Sequence, residues 1–504
     1  MRLHAFGNKN TMIPSEETRG KAYPALLVGF AAYVFSGGRW NIGLAAWIWP
    51  LAFLTYSRKT EGRRSFLLLA AALAVGHVIK WLNNLDAGYF LDAAVCLIWS
   101  LAWIIPFLAD RLIAQKLPGV FLRSLVFPAL FTSVEVLLAF SPTSSFGTMA
   151  YTQEGFLPLL QIASLIGSFG LSFLIFWFGT VAATALEKRP GWKGLAAVYL
   201  AVLAAVLVFG CARLAAHPAE RDRTVRVAGV VGPYYEKYAD GSYAELPYDE
   251  TQRCLVSEAR RAAEGGAAIA CWNEEAFTVD DTEEAGLLQT TEALAKEHDM
   301  ILILGVEVND TDDSEGGLTV NKSVIVLPDG ARREYVKTKL VPLVEAAYVK
   351  GTGEIPTVAT DTGILSNVIC FDETYIGFVH GMGARTDEHF KDTDILFVPS
   401  WDWDSVKNAH TRMAAFRAIE NGEAVVKPTY GGISAAVDPF GRELLRSDTA
   451  DAGFDSVWFA EVPVAGVRTL YSAIGTGVDL AFCALGPVML FLCHLVIRRK
   501  KTHA

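Results

Sequence analysis

Long apolar stretches fill most of the first part of the chain and recur once near its end. Most of them approach the ~20 residues that an α-helix needs to cross a bilayer. The pattern therefore predicts a multi-span α-helical membrane domain with about eight transmembrane helices. The stretches are 22–36, 41–57, 65–82, 90–109, 119–140, 156–186, 194–214 and 480–497.

From Thr224 the pattern changes to short β-branched runs that alternate with charged, helix-like segments. Helices are predicted at 247–264, 282–298 and 405–421. Strands buried on both faces that alternate with helices indicate an α/β domain. We divide the chain into a membrane domain (1–218), an α/β domain (219–466) and a last transmembrane helix with a basic tail (467–504). The predicted strands are VRVAGVV (225–231), AAIACW (267–272), MILILGVEV (300–308), KSVIVL (322–327), SNVIC (366–370), DILFVPS (394–400) and GISAAVDP (432–439).

Basic residues predict how the chain is oriented in the membrane. Lys and Arg occur between the second and third spans, the fourth and fifth, and the sixth and seventh, and in the tail at 498–501, whereas 141–155 has none. Positively charged loops stay in the cytoplasm. Both termini are therefore expected inside and the α/β domain outside.

Three polar residues inside the apolar stretches have two interpretations. Glu135, His77 and Lys80 carry ionisable groups, which are costly within a membrane and need partners or water. They either line a site for a lipid head group or pair structurally between helices.

Composition and charge narrow the function. The chain is 52% hydrophobic and only 19% charged, which is too apolar for an ordinary soluble enzyme. Its net charge of −10 excludes a nucleic-acid partner. The seven cysteines form no CxxC pair, and the nine histidines form no HExxH motif, so we expect neither a disulfide framework nor a metal site. WDWD at 401–404 is interpreted as a packed loop rather than a set of oxygen ligands.

Three segments at predicted strand ends each supply reactive groups. CWNEEAF contains Glu274, YVKTKLVPLVE contains Lys337 and Glu345, and VICFDE contains Cys370. Strand ends of an α/β sheet converge on one rim, where these side chains can meet. Taken singly, Cys370 is typical of buried core, Lys337 of a solvated charge, and Glu274 or Glu275 of a helix start.

Together the three segments resemble the nitrilase (carbon-nitrogen hydrolase) superfamily in their order and spacing. Two further stretches, 159–175 and RAIENGEAVVKPTYGGISAAVDPFGR (417–442), look like the membrane-bound branch, the apolipoprotein N-acyltransferases. The resemblance implies an α-β-β-α sandwich and no cofactor. The roles that it implies are general base for Glu274, which lies two residues after Trp272, oxyanion stabiliser for Lys337 and nucleophile for Cys370, with support or substrate contacts from Glu345, Phe371, Asp372 and Tyr238.

The resemblance also implies a reaction, a location and substrates. A free thiol is mostly protonated at neutral pH, so Cys370 needs a nearby base or cation to attack an ester. The implied enzyme lies in the bacterial inner (plasma) membrane and moves an acyl chain from a phospholipid, through a Cys thioester, to a diacylated lipoprotein. A membrane-tethered amidase and a silent lipid-binding protein remain alternatives. Asn273, Asp372, Leu343–Val344 and 401–404 depart from the family pattern around the pocket.

Overall fold

A helix occupies each of the apolar stretches. The computed structural model describes residues 22–82, 89–218, 223–232, 235–237, 243–310, 317–381, 393–449 and 456–502. A hairpin of β1 (Ser36–Gly37) and β2 (Trp40–Asn41) joins the first two helices, and 3-10 turns lie at Ala114–Lys116 and Met149–Gln153. The helices before the α/β domain are α1 (Tyr23–Phe35), α2 (Gly43–Lys59), α3 (Gly62–Trp81), α4 (Tyr89–Leu112), α5 (Val120–Ala139), the short α6 (Leu157–Leu160), α7 (Ala163–Leu186) and α8 (Trp192–Ala216).

The length of these helices bears on the predicted number of spans. Among the described residues, six helices are long and apolar enough to cross a membrane: α3, α4, α5, α7, α8 and the C-terminal helix (Leu470–Thr502). The first two have 13 and 17 residues, fewer than the ~20 that a perpendicular span needs. The multi-pass helical domain is thus confirmed, and its span number is approximate.

The basic connections lie together at one end of the helical bundle. Arg58, at the end of α2, donates to both carboxylate oxygens of Asp110 in α4, at 2.9 and 2.7 Å. The same guanidinium lies 3.5 Å from Glu187, just after α7. Two-point pairing fixes an Arg and a carboxylate in one geometry. The ends of three helices are therefore tied together on the side of the basic loops.

The α/β domain is built in two halves. The first contains, in chain order, β3 (Thr224–Val231), β4 (Tyr235–Lys237), β5 (Tyr243–Glu245), α9 (Tyr248–Glu264), β6 (Ile269–Trp272), β7 (Phe277–Asp280), α10 (Asp281–His298), β8 (Ile301–Asn309), β9 (Val320–Val326) and β10 (Arg332–Val336). The second contains β11 (Thr357–Thr360), β12 (Gly363–Asn367), a 3-10 turn (Cys370–Thr374), α11 (Ile376–His380), β13 (Ile395–Phe397), β14 (Ser400–Trp401), α12 (Lys407–Asn421), β15 (Ala424–Lys427), β16 (Thr429–Tyr430), β17 (Ile433–Val437), β18 (Glu443–Asp448) and β19 (Ser456–Pro463), followed by α13 (Leu470–Thr502).

Two mixed sheets form the centre of this domain. The first has seven strands in the order β10-β9-β8-β6-β3-β19, with β7 also beside β8, and the second has six in the order β11-β12-β13-β15-β17-β18. The middle strands of each sheet run parallel. Apolar residues such as Val227, Ile303, Leu365 and Val426 pack between the sheets. Helices α9 and α10 cover the first sheet and α12 covers the second, which confirms the α-β-β-α sandwich.

Every predicted strand overlaps an observed one, but one boundary differs where it matters. Strand β12 ends at Asn367, and Cys370 opens the 3-10 turn rather than ending the strand. Edge strands β10 (RREYV) and β18 (ELLRSD) were not predicted. Their charged residues face solvent and hide the apolar pattern by which a buried strand is recognised.

The sandwich is attached to the ends of the helices opposite the basic loops. On the membrane side the contacts come from 141–155 and the start of α7, and on the sandwich side from α12 and the 3-10 turn. Arg417 donates from Nη2 to the hydroxyl of Tyr151 at 2.9 Å, and the Ser168 N–H donates to Glu420 Oε1 at 2.8 Å. The Ser145 N–H donates to the Thr374 carbonyl at 3.3 Å. These bonds hold the turn that begins at Cys370 against the membrane domain.

Candidate active site

Glu274 lies in a tight loop just after β6. The Asn273 side chain fixes this loop: its Oδ1 accepts from the Gly232 N–H at 2.7 Å and its Nδ2 donates to the Glu274 carbonyl at 2.7 Å. Strand β8 presses on the same loop, because a Cβ added at Gly305 would lie 2.0 Å from the Asn273 carbonyl oxygen. Asn273, where the family pattern has proline, is thus compatible with a rigid loop.

Lys337 lies between two glutamates. It follows β10 and is 1% exposed. Its Nζ donates to Glu274 Oε1 at 2.6 Å and also to Glu345 Oε1. The other oxygen of Glu345 accepts from the Val341 N–H at 2.6 Å, which fixes the segment after β10. Two carboxylates therefore hold one ammonium group in a fixed, buried position.

Cys370 is presented by an unusual backbone conformation. Its φ is +45°, in the left-handed region that non-glycine residues rarely adopt. The Cys370 N–H donates to the Pro399 carbonyl at 2.9 Å. Its Sγ lies 3.6 Å from the Trp401 carbonyl oxygen, and the Trp401 N–H donates to Glu274 Oε2 at 2.9 Å. The Trp401 backbone thus contacts both the Cys370 thiol and the Glu274 carboxylate. Backbone strain such as the positive φ of Cys370 is typical of functional sites.

Asp372 and Phe371 stabilise the turn that carries Cys370. Asp372 is fully buried and accepts hydrogen bonds from the Tyr335 hydroxyl at 2.8 Å, the Ile369 N–H at 3.1 Å and the Lys339 N–H at 2.6 Å. The shorter Asp, in place of the family's usual Glu, therefore ties the turn to the segment that carries Lys337. The Phe371 ring stacks against that of Phe146, with centroids 6.2 Å apart.

The electrostatics of the site favour a protonated thiol beside a charged lysine. Burial and the neighbouring Glu274 raise the pKa of the Cys370 thiol well above its usual range, against the opposing effect of Lys337. Burial also opposes the charge on Lys337, but Glu274 and Glu345 outweigh it and raise the pKa of Lys337. The thiol therefore needs a base to remove its proton during reaction.

A cavity of about 270 Å³ opens from Cys370 toward the membrane helices. Its far wall belongs to α3 and α4, its near wall to the sandwich, and its floor to the 141–155 connection. The lining is mostly apolar and aromatic, with Trp81, Trp99, Phe146 and Phe371 among its residues. Leu343, at the cavity, is 63% exposed. The lining suits an apolar ligand.

The candidate residues from the sequence fall into three groups. The structure brings Glu274, Lys337 and Glu345 into direct contact and places Cys370 beside them through Trp401. Phe371 lines the cavity, whereas Asp372 is buried in the supporting turn. Tyr238 lies outside the described residues.

The polar residues of the membrane helices have separate partners. His77 Nδ1 lies 2.7 Å from the Tyr33 hydroxyl, Lys80 Nζ donates to the Ser36 carbonyl at 2.7 Å, and Glu135 accepts from the Met149 N–H at 2.8 Å. These contacts fit the structural-pairing interpretation. His77 also lines the cavity.

Sequence reasoning missed several polar residues around the site. Asn321 donates from Nδ2 to Glu274 Oε1 at 2.8 Å and to Glu275 Oε1 at 2.9 Å. His410 Nδ1 lies 2.6 Å from Asp402 Oδ1, and Lys427 donates to Glu373 at 2.6 Å. Asp402 belongs to the WDWD segment, which the sequence analysis singled out and interpreted as a packed loop; in the structure Trp401 lies in β14, Asp402 is buried and Asp404 is exposed. Asn321, His410 and Lys427 carry no local motif, and only the fold brings them to the site.

Two groups of side chains in the described part of the chain are close enough to hold a metal ion. They are Cys370, Asp402 and His410, and Glu274, Glu275 and Glu345. In the second group, Lys337 Nζ already bonds both Glu274 and Glu345. The ammonium group of Lys337 therefore neutralises the carboxylates that a metal ion would need as ligands.

Comparisons with known proteins agree with this architecture. The N-terminal domain family of apolipoprotein N-acyltransferase matches residues 26–181, and the carbon-nitrogen hydrolase family matches 251–471. The apolipoprotein N-acyltransferase of Geobacter metallireducens is 25% identical over 92% of this chain and 93% of its own. That of Haemophilus influenzae is 23% identical over 90% and 92%, and that of Bradyrhizobium diazoefficiens is 26% identical over 66% of each chain.

Among solved structures, an amidase from Nesterenkonia sp. aligns with 52% of this chain and 98% of its own, at 18% identity and a TM-score of 0.40. With a helical family model on the first part of the chain, a hydrolase family model on the second and relatives along nearly its full length, this multi-pass membrane protein has the domain arrangement of the apolipoprotein N-acyltransferases to which it is similar.

Proposed function

We propose that this chain transfers a fatty acyl chain from a phospholipid to the N-terminal amine of a diacylglyceryl-cysteine lipoprotein. The observation that carries the proposal is the cavity between Cys370 and helices α3 and α4. A soluble-substrate hydrolase does not need membrane helices as one wall of its active site. The names of the relatives support the same reaction.

In the first half of the reaction, Glu274 acts as general base and Cys370 as nucleophile. Glu274 takes the proton of Cys370 Sγ as sulfur adds to the ester carbonyl carbon of the phospholipid. The ammonium group of Lys337 stabilises the negative charge that develops on the carbonyl oxygen. Collapse breaks the ester C–O bond, and Glu274 returns the proton to the leaving alcohol. The product is a thioester on Cys370.

In the second half, the amine of the lipoprotein attacks the thioester. The C–N bond forms, the C–S bond breaks, and Cys370 regains its proton. Transfer instead of hydrolysis requires that the amine reach the thioester before water does. An apolar cavity filled by the acyl chain excludes water from the reacting carbon.

The remaining predicted residues have supporting roles in this proposal. Glu345 holds Lys337 in place, Asp372 ties the Cys370 turn to the Lys337 segment, and Phe371 forms part of the acyl-chain wall. Tyr238 is proposed, from the resemblance alone, to contact substrate.

We also propose an orientation and a division of the chain. The basic loops and the sandwich lie at opposite ends of the helical bundle. By the positive-inside rule this arrangement supports cytoplasmic termini and a catalytic domain outside the bacterial plasma membrane. The proposed boundaries are 1–218 for the membrane domain, 219–466 for the catalytic domain and 467–504 for the last helix and tail.

Intact-mass spectrometry of the purified protein tests the proposed function. Incubation with phospholipid alone is expected to add one acyl mass at Cys370, and a diacylated lipopeptide is expected to remove it and become N-acylated. Cys370→Ala is expected to acquire no acyl mass. An acyl-enzyme that lipopeptide does not discharge contradicts the transferase, and release of ammonia from a soluble amide instead favours the amidase alternative.

A further inference from the structure

Asp402 is a buried acidic residue in the wall of the cavity. It is 2% exposed, and its N–H donates to the Tyr430 carbonyl at 2.8 Å, which fixes its backbone. Oδ1 lies 2.6 Å from His410 Nδ1, whereas Oδ2 has no hydrogen-bond partner among the described residues. Although burial acts in the opposite direction, the contact with His410 lowers the pKa of Asp402. The side chain is therefore held in its charged form.

The carboxylate lies next to the proposed nucleophile. An oxygen of Asp402, Cys370 Sγ and a ring nitrogen of His410 are all within 4.8 Å of one another. A Cβ added at Gly432 would lie 2.6 Å from Asp402 Cβ and 3.0 Å from its Oδ2. The glycine at position 432 thus leaves space for the Asp402 side chain beside the thiol.

This carboxylate works against the formation of the thiolate. Its negative charge adds to burial and Glu274 in raising the pKa of Cys370. Glu274 raises the same pKa, but it is the proposed base of the acylation step, which needs no second carboxylate. The presence of Asp402 at this position therefore points to a later step of the reaction.

The site as a whole has more negative than positive groups. Lys337 pairs with Glu274 and Glu345, and Lys427 pairs with Glu373. Asp402 brings the carboxyl groups of this set to four, against two lysines, and it shares His410 with Glu373, whose Oε2 lies 3.5 Å from His410 Nε2. A buried carboxylate oxygen without a partner, such as Oδ2, is costly unless a donor or a cation joins it. The excess of acidic groups favours one positively charged substrate group at this position.

We propose that Asp402 Oδ2 binds the N-terminal ammonium group of the acceptor and that His410 is the positioning residue that aims it. The proposal rests on the proposed function and names the acceptor-binding residue of that site. An α-amino group has a pKa of about 7.7–8.0 and arrives mostly as an ammonium ion. Bound at Asp402, its nitrogen is placed beside the thioester carbon on Cys370.

The protons of this step balance as follows. The ammonium group bound at Asp402 gives one proton to a solvent water molecule. The neutral amine then adds to the thioester carbonyl, the C–S bond breaks, and the second proton lost by nitrogen passes through Glu274 to Cys370 Sγ. The products are an amide and a free thiol.

A comparison of two nucleophiles tests the proposal. Acyl-enzyme is first formed with phospholipid and then discharged with lipopeptide or with hydroxylamine, which is uncharged at neutral pH. In Asp402→Asn, the ratio of lipopeptide to hydroxylamine discharge rates is expected to fall by about tenfold or more, the size of one lost hydrogen bond to a charged group. His410→Gln is expected to lower the same ratio, because Oδ2 loses its fixed direction.

Asp404→Asn is the matched control, since this Asp lies two residues away with a side chain 88% exposed. It is expected to keep the wild-type ratio. An unchanged ratio in Asp402→Asn overturns the docking proposal alone, whereas a wild-type acyl-enzyme that never transfers to lipopeptide contradicts the proposed function itself.

A second measurement on the unmodified protein keeps the proposal testable if Asp402→Asn forms no acyl-enzyme. An N,N-dimethyl lipopeptide keeps the positive charge and one N–H but forms no stable amide, and an N-acetyl lipopeptide is neutral. The dimethyl peptide is expected to inhibit transfer about tenfold more strongly than the acetyl peptide. Equal inhibition by the two peptides overturns the proposal.

Discussion

At the scale of single residues, the site depends on one carboxylate whose two oxygens both have fixed partners. Glu274 Oε1 accepts from Lys337 and Asn321, and Oε2 accepts from the Trp401 N–H. Glu275 has its own bond from Asn321 and a φ of +52°. Two adjacent glutamates of similar sequence character therefore have different surroundings, and only Glu274 contacts Lys337.

Replacement of these glutamates separates thiol ionisation from catalysis. Glu274→Gln removes a negative charge that raises the pKa of Cys370, so iodoacetamide alkylation of Cys370 is expected to begin at lower pH than in the wild type. The same variant is expected to lose acyl-enzyme formation by about 100-fold or more, because the proposed base is missing. Alkylation quenched at a series of pH values and followed by peptide mass spectrometry measures the reactivity of Cys370. The acyl-mass measurement described above measures acyl-enzyme formation.

Glu275→Gln is the control for this pair and is expected to keep measurable acylation. Loss of acylation in Glu275→Gln with retention in Glu274→Gln would reverse the assignment of the base.

At the scale of structural elements, close backbone contacts place the loop that carries Glu274. Strand β8 approaches this loop at Gly305, where any side chain would meet the Asn273 carbonyl oxygen at 2.0 Å. The contact lies within the backbone, so it cannot be relieved by rotation of a side chain. The position of Glu274 relative to Lys337 therefore depends on a glycine in a neighbouring strand.

Gly305→Ala is expected to displace Glu274 without removing any group from the site. Forced displacement in a packed interior costs about 1–3 kcal/mol, and a shift of about 1 Å at a catalytic group can cost about 100-fold in rate. We expect a lower thermal midpoint and slower acyl-enzyme formation. Gly381→Ala is the control, because a Cβ there meets no atom of the described residues within 4 Å. Wild-type acylation in Gly305→Ala would show that the loop tolerates the shift.

At the scale of the whole molecule, the helical bundle separates the basic loops from the catalytic sandwich. The ends of α2, α4 and α7 are joined by ion pairs of Arg58 on one side. The 141–155 connection and the start of α7 bind α12 of the sandwich on the other. These two ends face opposite sides of a bilayer. The side on which the basic loops lie therefore determines the side on which the sandwich lies.

Labelling of single introduced cysteines tests the proposed orientation. Arg260→Cys on α9 is expected to react with a membrane-impermeant maleimide in intact cells, whereas Lys193→Cys at the start of α8 is expected to react only after lysis. Both side chains are exposed, so access is limited by the membrane alone. The wild-type chain measures background from its native cysteines. The reverse pattern would place the sandwich in the cytoplasm.

The sequence by itself determined the two-part architecture, because hydrophobic length and periodicity are local properties. Continuous apolar stretches predicted the membrane helices, and short β-branched runs predicted inner strands of the two sheets. The three segments with Glu274, Lys337 and Cys370 were found through their spacing. Edge strands β10 and β18 were missed because their charged residues show no buried pattern.

Only the tertiary structure decided which residues surround Cys370 and what the cavity is made of. His410 and Asn321 carry no motif, and Asp402 lies in a segment whose motif did not show its neighbours, so the proximity of the three follows from how the sheets pack and not from the order of the chain. Helices α3 and α4 supply one wall of the cavity, and their lining residues precede Cys370 by more than 250 positions in the chain. Local pattern determines elements, because it acts over a few residues, whereas a site depends on long-range packing that a linear sequence does not display.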